Sequence, residues 1–183
     1  MELEMRIVKK VAAAAMAMAV VFGAASLKPV AANAAQAGPE TASVMEEENS
    51  FLSHQDEAYQ NEFLRRVNSE RANYGLQPLV MGDEKLTAAA QHRAEEIATV
   101  NSHVRPNGSK WYTVLGEYGV TDAASGENAA WGSVSPEEVV TAWMNSEGHC
   151  ANILNDEARK MRVGYYYNGN STWGQQWIQI FTK

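Results

Sequence analysis

Cysteine is almost absent: the 183 residues contain one. A single thiol excludes an internal disulfide framework and any multi-cysteine zinc module. An excess of basic charge is absent too. Fifteen Lys and Arg face 22 Asp and Glu, leaving a formal charge of -7, and no basic stripe offsets the acidic total, which argues against a general nucleic-acid binder. No repeat at a solenoid period is present. Beyond the N-terminal stretch no segment is apolar enough to span a membrane. What remains is a chain whose length fits one domain and whose 45% hydrophobic content is enough to bury a substantial core without staples.

The N-terminal stretch reads as something other than fold. Arg6, Lys9 and Lys10 form a basic start, Val11 to Leu27 is an uncharged run of mostly Ala, Val and Met, and Ala32-Asn33-Ala34 is a small-x-small cleavage signal. That is the three-part pattern of a secretory signal peptide, expected over residues 1–34. The competing reading is an uncleaved anchor, but the run is short for spanning and weakly hydrophobic. Cleavage removes Arg6, Lys9, Lys10 and Lys28 against Glu2 and Glu4, leaving 149 residues with a formal charge of -9. The expected location is secreted, with no membrane span after cleavage. Residues 35–50 carry the acidic run Glu46-Glu47-Glu48 and few large apolar groups, so they read as a disordered linker. The globular domain is expected over residues 51–183.

Within it three helices are legible. Tyr59, Phe63, Val67 and Tyr74 recur at helical spacing over about 56–74, and Gly75 is a natural stop. Leu86, Ala90, Ala94 and Ile97 define a face over about 84–100, with Asp83 as the N-cap. Ser135, Pro136 and Glu138 make a capping box with proline at the first helical position, opening a helix that ends near Asn145. The chain closes with strands. Residues 162–167 are β-branched and aromatic, Asn168-Gly169-Asn170 signals a hairpin, and 177–182 returns with Trp177, Gln179 and Phe181 on one face and Ile178 and Ile180 on the other. A shorter extended piece covers Asn128 to Trp131. Helices first and an antiparallel pair last point to an α+β layered architecture rather than βαβ units.

Four histidines are candidates for chemistry. His54 and His92 read as solvated. His103 and His149 read as sitting in loops just past helices, beside Gly or small residues, where function is usually placed. Glu127 lies in Ser125-Gly126-Glu127-Asn128-Ala129-Ala130-Trp131, a small-residue stretch in which a buried acid would need a partner. Ser146, His149 and Glu127 supply the residue types of a serine hydrolase triad, although no Gly-x-Ser-x-Gly elbow is present. Cys150 reads as a small buried apolar group. Of the aromatic residues, Trp131, Trp143 and Trp177 belong to core elements, while Trp111, Tyr112 and Trp173 are expected to be exposed. Asn107-Gly108-Ser109 and Asn170-Ser171-Thr172 fit the glycosylation sequon, and turn chemistry accounts for both equally well.

An ordered set of motifs resembles a known family. Leu64-x-x-Val67-Asn68-x-x-Arg71 is followed by His103-x-Arg105-Pro106-Asn107-Gly108 and Gly126-Glu127-Asn128-Ala129-Ala130. Trp143-Met144-Asn145-Ser146-x-Gly148-His149-x-Ala151-Asn152-Ile153-Leu154 and Trp177-x-Gln179-x-Phe181 complete the set. Together these resemble the CAP superfamily (cysteine-rich secretory proteins, antigen 5 and pathogenesis-related class 1 proteins), in its bacterial SCP-like extracellular branch. The resemblance covers about residues 57–181. It implies a three-layer α-β-α sandwich with a central antiparallel sheet and an open cleft holding two histidines and two acids, in which the histidines bind a divalent metal, commonly zinc. His103 and His149 match the two histidines and Glu127 the first acid. The second acid, from Trp-x-x-Glu in the third helix, is replaced by Ser146, with Glu147 adjacent.

Two neutral imidazoles suit zinc or another divalent metal. Glu127 is either a third ligand, leaving an open position as in catalytic zinc sites, or a partner that orients a histidine. The function expected is an extracellular binding module whose cleft, His103, Glu127, Ser146 and His149, takes a metal and a small ligand, lipid, peptide or cell-envelope component. The alternative is a metal-assisted hydrolase or protease using Glu127, His149 and Ser146 of the same cleft, weakened by the missing acid because a metal-bound water still needs a placed base. The expected species is a monomer.

Overall fold

The computed structural model describes residues 57–183. The expected signal peptide, the linker, the start of the domain and His54 lie outside the described residues. Five helices and four strands follow: α1 (57–73), β1 (Val80–Met81), α2 (Glu84–Ile97), α3 (Thr113–Glu117), β2 (Ala124–Trp131), α4 (Pro136–Met144), α5 (Glu147–Ile153), β3 (Lys160–Asn168) and β4 (Gly174–Thr182). The sheet order is β1-β3-β4-β2.

The alternation of β4 divides the molecule into layers. Trp177 and Phe181 face α1, α4 and α5, where they meet Phe63, Val67, Val140, Trp143 and Ile153. Ile178 and Ile180 face α2 and α3, where they meet Leu86, Ala90, Ala94 and Leu115. The expected three-layer α+β sandwich is therefore what the chain forms. The sheet is antiparallel between β2, β4 and β3, and Val80–Met81 adds a two-residue parallel pair on β3. The sequence reading did not anticipate that edge strand, since two residues carry no periodic signal. Asn68 holds it in place from α1: its amide donates to the Leu79 carbonyl at 3.0 Å and accepts from the Leu79 N–H at 2.8 Å.

Several boundaries moved. α2 stops at Ile97, its last buried residue, and the chain turns before the exposed Val100. Asp83 caps it as expected, accepting from the Leu86 N–H at 3.0 Å. Ser135 caps α4 through the Glu138 N–H, but the Glu138 carboxylate reaches back to the Val134 N–H rather than to Ser135, a capping box stretched by one residue. The hairpin signalled at Asn168-Gly169-Asn170 forms, with a five-residue connection, 169–173. β2 runs from Ala124, four residues before the expected start, because Gly126 and Glu127 pair with Phe181 and Ile180.

α2 lies so close to the sheet that Gly164 in β3 has the Ala90 backbone where a side chain would be. The alanines of α2 and this glycine form one contact. Beyond the short β1, the free edge of β3 is closed by glutamine side chains. The Gln60 amide exchanges hydrogen bonds with the Val163 backbone, and Gln91 accepts from the Tyr165 N–H at 3.2 Å. Side-chain amides thereby satisfy backbone groups that an uncovered edge would leave open.

Candidate functional site

Glu127 sits on β2 with its side chain facing α2, and the carboxylate is 0% exposed. Arg93 of α2 meets it with two parallel bonds, Nε to Oε2 at 2.9 Å and Nη2 to Oε1 at 3.1 Å. This is the bidentate geometry that makes such pairs strong and specific. Nδ1 of His103 donates to Glu127 Oε1 at 2.7 Å. The carboxylate held by Arg93 is an acceptor there, so Nδ1 carries a proton toward it and Nε2 is directed away from the acid. The His103 side chain is 53% exposed. The arrangement is a fully buried carboxylate that fixes the tautomer and direction of an open imidazole.

Arg93 is the residue the sequence reading missed. Its signal was present: it falls on the buried stripe Leu86, Ala90, Arg93, Ile97, and a charge on an apolar helical face needs a buried partner. The network extends outward from it. Arg93 also binds Glu96, Glu96 receives two bonds from Arg105 Nε at 3.0 and 3.1 Å, and Arg105 reaches Glu117 of α3. Hydrogen bonds donated to Glu117 and Glu96 raise the Arg105 guanidinium pKa still further. Arg105, of the His-x-Arg-Pro-Asn-Gly motif, therefore works as a tie between the His103 loop, α2 and α3.

His149 approaches from the other layer. The sequence reading placed it in a loop; it lies instead on the short helix α5, half-buried. The helix opens at Ser146, which takes an extended N-cap conformation (φ -107°, ψ 122°) and accepts at its carbonyl from the Cys150 N–H at 2.8 Å. α5 is docked on β2 by amides. Asn128 donates to the His149 carbonyl at 3.1 Å, and Asn152 donates to the Glu127 carbonyl at 3.0 Å and to the Asn128 side chain at 2.9 Å. Asn152 packs so tightly over Gly126 that a Cβ there would lie 2.8 Å from its side-chain oxygen. The Gly-Glu-Asn and His-x-Ala-Asn motifs are thus two halves of one contact, set between His103 and His149. Burial pushes the His149 imidazole pKa down, and the neighbouring His103 adds to the effect. Both effects favour the neutral ring.

The other sequence candidates fall as follows. The Ser146 hydroxyl forms no hydrogen bond among the described residues, and none joins it to His149; Glu127 is bonded to His103 rather than to His149. Glu147 is exposed in the first turn of α5, where an acid complements the helix dipole. Cys150 is buried in the core and burial raises its thiol pKa. His92 is not solvated as expected but half-buried, 3.2 Å from Glu96 and against the Tyr118 ring. Trp111 is not an exposed contact either; it packs on the α2 core cluster, while Tyr112 and Trp173 are exposed.

The donor set limits what metal could be held. Among the described residues no group of three His, Cys, Asp or Glu is placed to bind an ion. Both Glu127 oxygens are taken. A three-ligand protein site does not fit, and the donors left are the two imidazoles.

A three-layer α-β-α sandwich carrying an open histidine backed by a buried acid, with a second, half-buried histidine beside it, defines a class of protein. The family model of the cysteine-rich secretory protein family, CAP, matches residues 64–181. The uncharacterized protein YkwD of Bacillus subtilis is 39% identical over 123 residues, 66% of this chain and 47% of that protein. Pathogenesis-related protein 1C of Nicotiana tabacum is 30% identical over 114 residues, 58% of this chain and 56% of that protein. Among solved structures, an extracellular SCP-domain protein of Bacillus anthracis covers 82% of this chain and is itself covered over 45%, with a TM-score of 0.62 at 20% identity. An outer surface protein of Borrelia burgdorferi covers 66% of this chain, with 88% of its own length matched, at 21% identity and a TM-score of 0.54. The chain belongs to the cysteine-rich secretory protein family, with the bacterial members. It spans about half the length of the relatives it matches in sequence. Among the described residues no helix is long and apolar enough to cross a membrane.

Proposed function

We propose that this protein is a secreted, non-catalytic binding module whose cleft is centred on His103 and His149. The observation that carries this reading is the state of Glu127. A carboxylate that is 0% exposed, held by Arg93 through both oxygens and bonded to His103 is closed off from solvent and already committed to neighbours, which disfavours it as a general base or a third metal ligand. Its role is to aim His103. No second carboxylate takes its place in the cleft: Ser146 stands where the family's second acid would be, and Glu147 points to solvent.

Secretion rests on the pattern of residues 1–34. The bound species would be a divalent ion such as zinc held by the two imidazoles, with the remaining positions filled by water or by an oxygen of an extracellular ligand, whether a small molecule, a lipid, a peptide or a cell-envelope component. A bound ion would supply a Lewis-acidic anchor for that oxygen. The residues of this chain do the rest: Glu127 fixes the His103 tautomer, and burial favours the neutral His149 ring.

Zinc titration by calorimetry tests the reading. Saturable binding is expected in the native chain and its loss in the His103→Ala/His149→Ala double variant. Equal binding by the double variant removes the cleft from consideration. Turnover on a broad peptide and ester panel with metal supplied, lost in the same variant, would establish the hydrolase instead.

A further inference from the structure

The end of the sheet away from the histidine cleft carries a second surface. The twenty residues between Arg162 and Lys183 contain no charged side chain, where the chain's average of 20% would place four. Most of that segment is core strand, and the rest is exposed: Tyr166, Tyr167, Asn170 and Trp173 all lie open to solvent. Trp173 is 58% exposed and Tyr167 49%.

Both rings are seated on glycine. A Cβ at Gly174 would lie 3.2 Å from the Tyr167 ring and one at Gly169 3.5 Å from it, so the ring crosses the hairpin where no side chain intervenes. A Cβ at Gly132, at the end of β2, would lie 3.4 Å from the Trp173 ring. Each ring is therefore supported from behind while much of its surface stays in water. Rigid rings of this kind contribute contact area at low entropic expense. Gln175 stands between the two supports: Tyr167 pairs with it across β3 and β4, and Gly132 donates to its carbonyl at 3.0 Å. With strands about 4.8 Å apart, the Tyr167 and Gly132 backbones are about 10 Å apart, and the Tyr167 ring leans from its strand toward Gly174 on the next one. The side-chain amides of Asn170 and Gln175 form no hydrogen bond among the described residues, leaving donors and acceptors beside the rings.

Flat apolar faces, neighbouring amides and no charge are the complement of a sugar, which offers C–H faces to aromatic rings and hydroxyls to amides. We infer that the exposed rings of Tyr167 and Trp173 form a stacking platform for a neutral β-linked glycan, separate from the histidine cleft. The position is five residues along β2 from Glu127, about 16 Å away. A membrane surface also attracts Tyr and Trp. It is disfavoured here because no Lys or Arg lies in the segment and the chain as a whole is at -7, which repels anionic headgroups.

Titration of the full chain with the β-1,4 tetramer of N-acetylglucosamine, followed by NMR, tests this. The Trp173 indole and the backbone amides of 168–175 are expected to shift saturably. Trp173→Ala and Tyr167→Ala should each weaken binding at least tenfold with no change in melting temperature, and Trp173→Phe should restore most of it. The His103→Ala/His149→Ala variant should bind the tetramer as the native chain does, which separates this surface from the cleft. Undiminished binding by the two ring variants overturns the proposal. So does an absence of tetramer binding, whether or not the same rings bind phosphatidylcholine vesicles.

Discussion

At the scale of single residues, the site is determined by what glycine permits and what arginine neutralises. Gly164 is the clearest case. A methyl group there meets the Ala90 backbone, and backbone cannot swing aside as a flexible side chain can. Gly164→Ala should destabilise the domain by about 3 kcal/mol or more, read as a lowered urea midpoint with an unchanged m-value. Arg93 is the second case. Removing it leaves the Glu127 carboxylate buried beside a single imidazole, so Arg93→Ala should cost about 3–5 kcal/mol. Replacing both charges, as Arg93→Met with Glu127→Gln, should recover a large part of that loss because no uncompensated charge remains. If the double variant is no better than Arg93→Ala by denaturant titration, the network is held by something other than this pair. None of these partnerships is visible in the sequence. The motif residues stood out individually, but that Gly126 answers to Asn152, or Glu127 to Arg93, depends on contacts across 26 and 34 positions of chain.

At the scale of elements, helices with strong local signals were legible and short ones were not. α2 and α4 announce themselves through Asp83 and Ser135, and both side chains cap as expected. Ser135→Ala should lower stability by about 1 kcal/mol, measurable as a drop in melting temperature with native far-UV circular dichroism. α3 and α5 are five and seven residues long, below the length at which propensity alone makes a helix. They form because Leu115 and Ile153 are buried and because side chains from elsewhere meet their ends. Arg71 of α1, for instance, donates to the Ile153 carbonyl at 2.7 Å and the Asn155 carbonyl at 2.8 Å, satisfying the C-terminus of α5. That contact explains the arginine of the Leu64-x-x-Val67-Asn68-x-x-Arg71 motif. It also shows why His149 was misplaced: the helix carrying it is stabilised mainly from outside itself.

At the scale of the whole molecule, charge ties the histidine face together in place of crosslinks. Glu96 loses hydration on burial, which would raise its pKa, but the hydrogen bonds from Arg105 and Arg93 outweigh this and hold the carboxyl below its ordinary 4.5. A carboxyl whose folded value is depressed contributes stability that is fully present above the unfolded value and is lost as the pH falls through the folded one. The domain should therefore hold its melting temperature down to about pH 5 and lose it progressively in more acidic buffer. Glu96→Gln should flatten that slope while lowering stability at neutral pH. An unchanged acid profile in this variant would show that other carboxylates govern the transition.

The sequence by itself determined the α+β class of fold, the two faces of the closing strand and, through its ordered motifs, the family. Periodicity is a local property, and the alternation of Trp177, Gln179 and Phe181 against Ile178 and Ile180 already separates the two faces of the sheet. It also determined that stability must come from core packing and capped helices, since one cysteine leaves no internal bridge to form. The tertiary structure alone decided how the cleft works. Glu127 could have been a ligand, a base or a support for a histidine, and the choice was made by Arg93, 34 residues away in the chain on the helix that covers this face of the sheet, because a buried carboxylate takes the role its nearest cation leaves it.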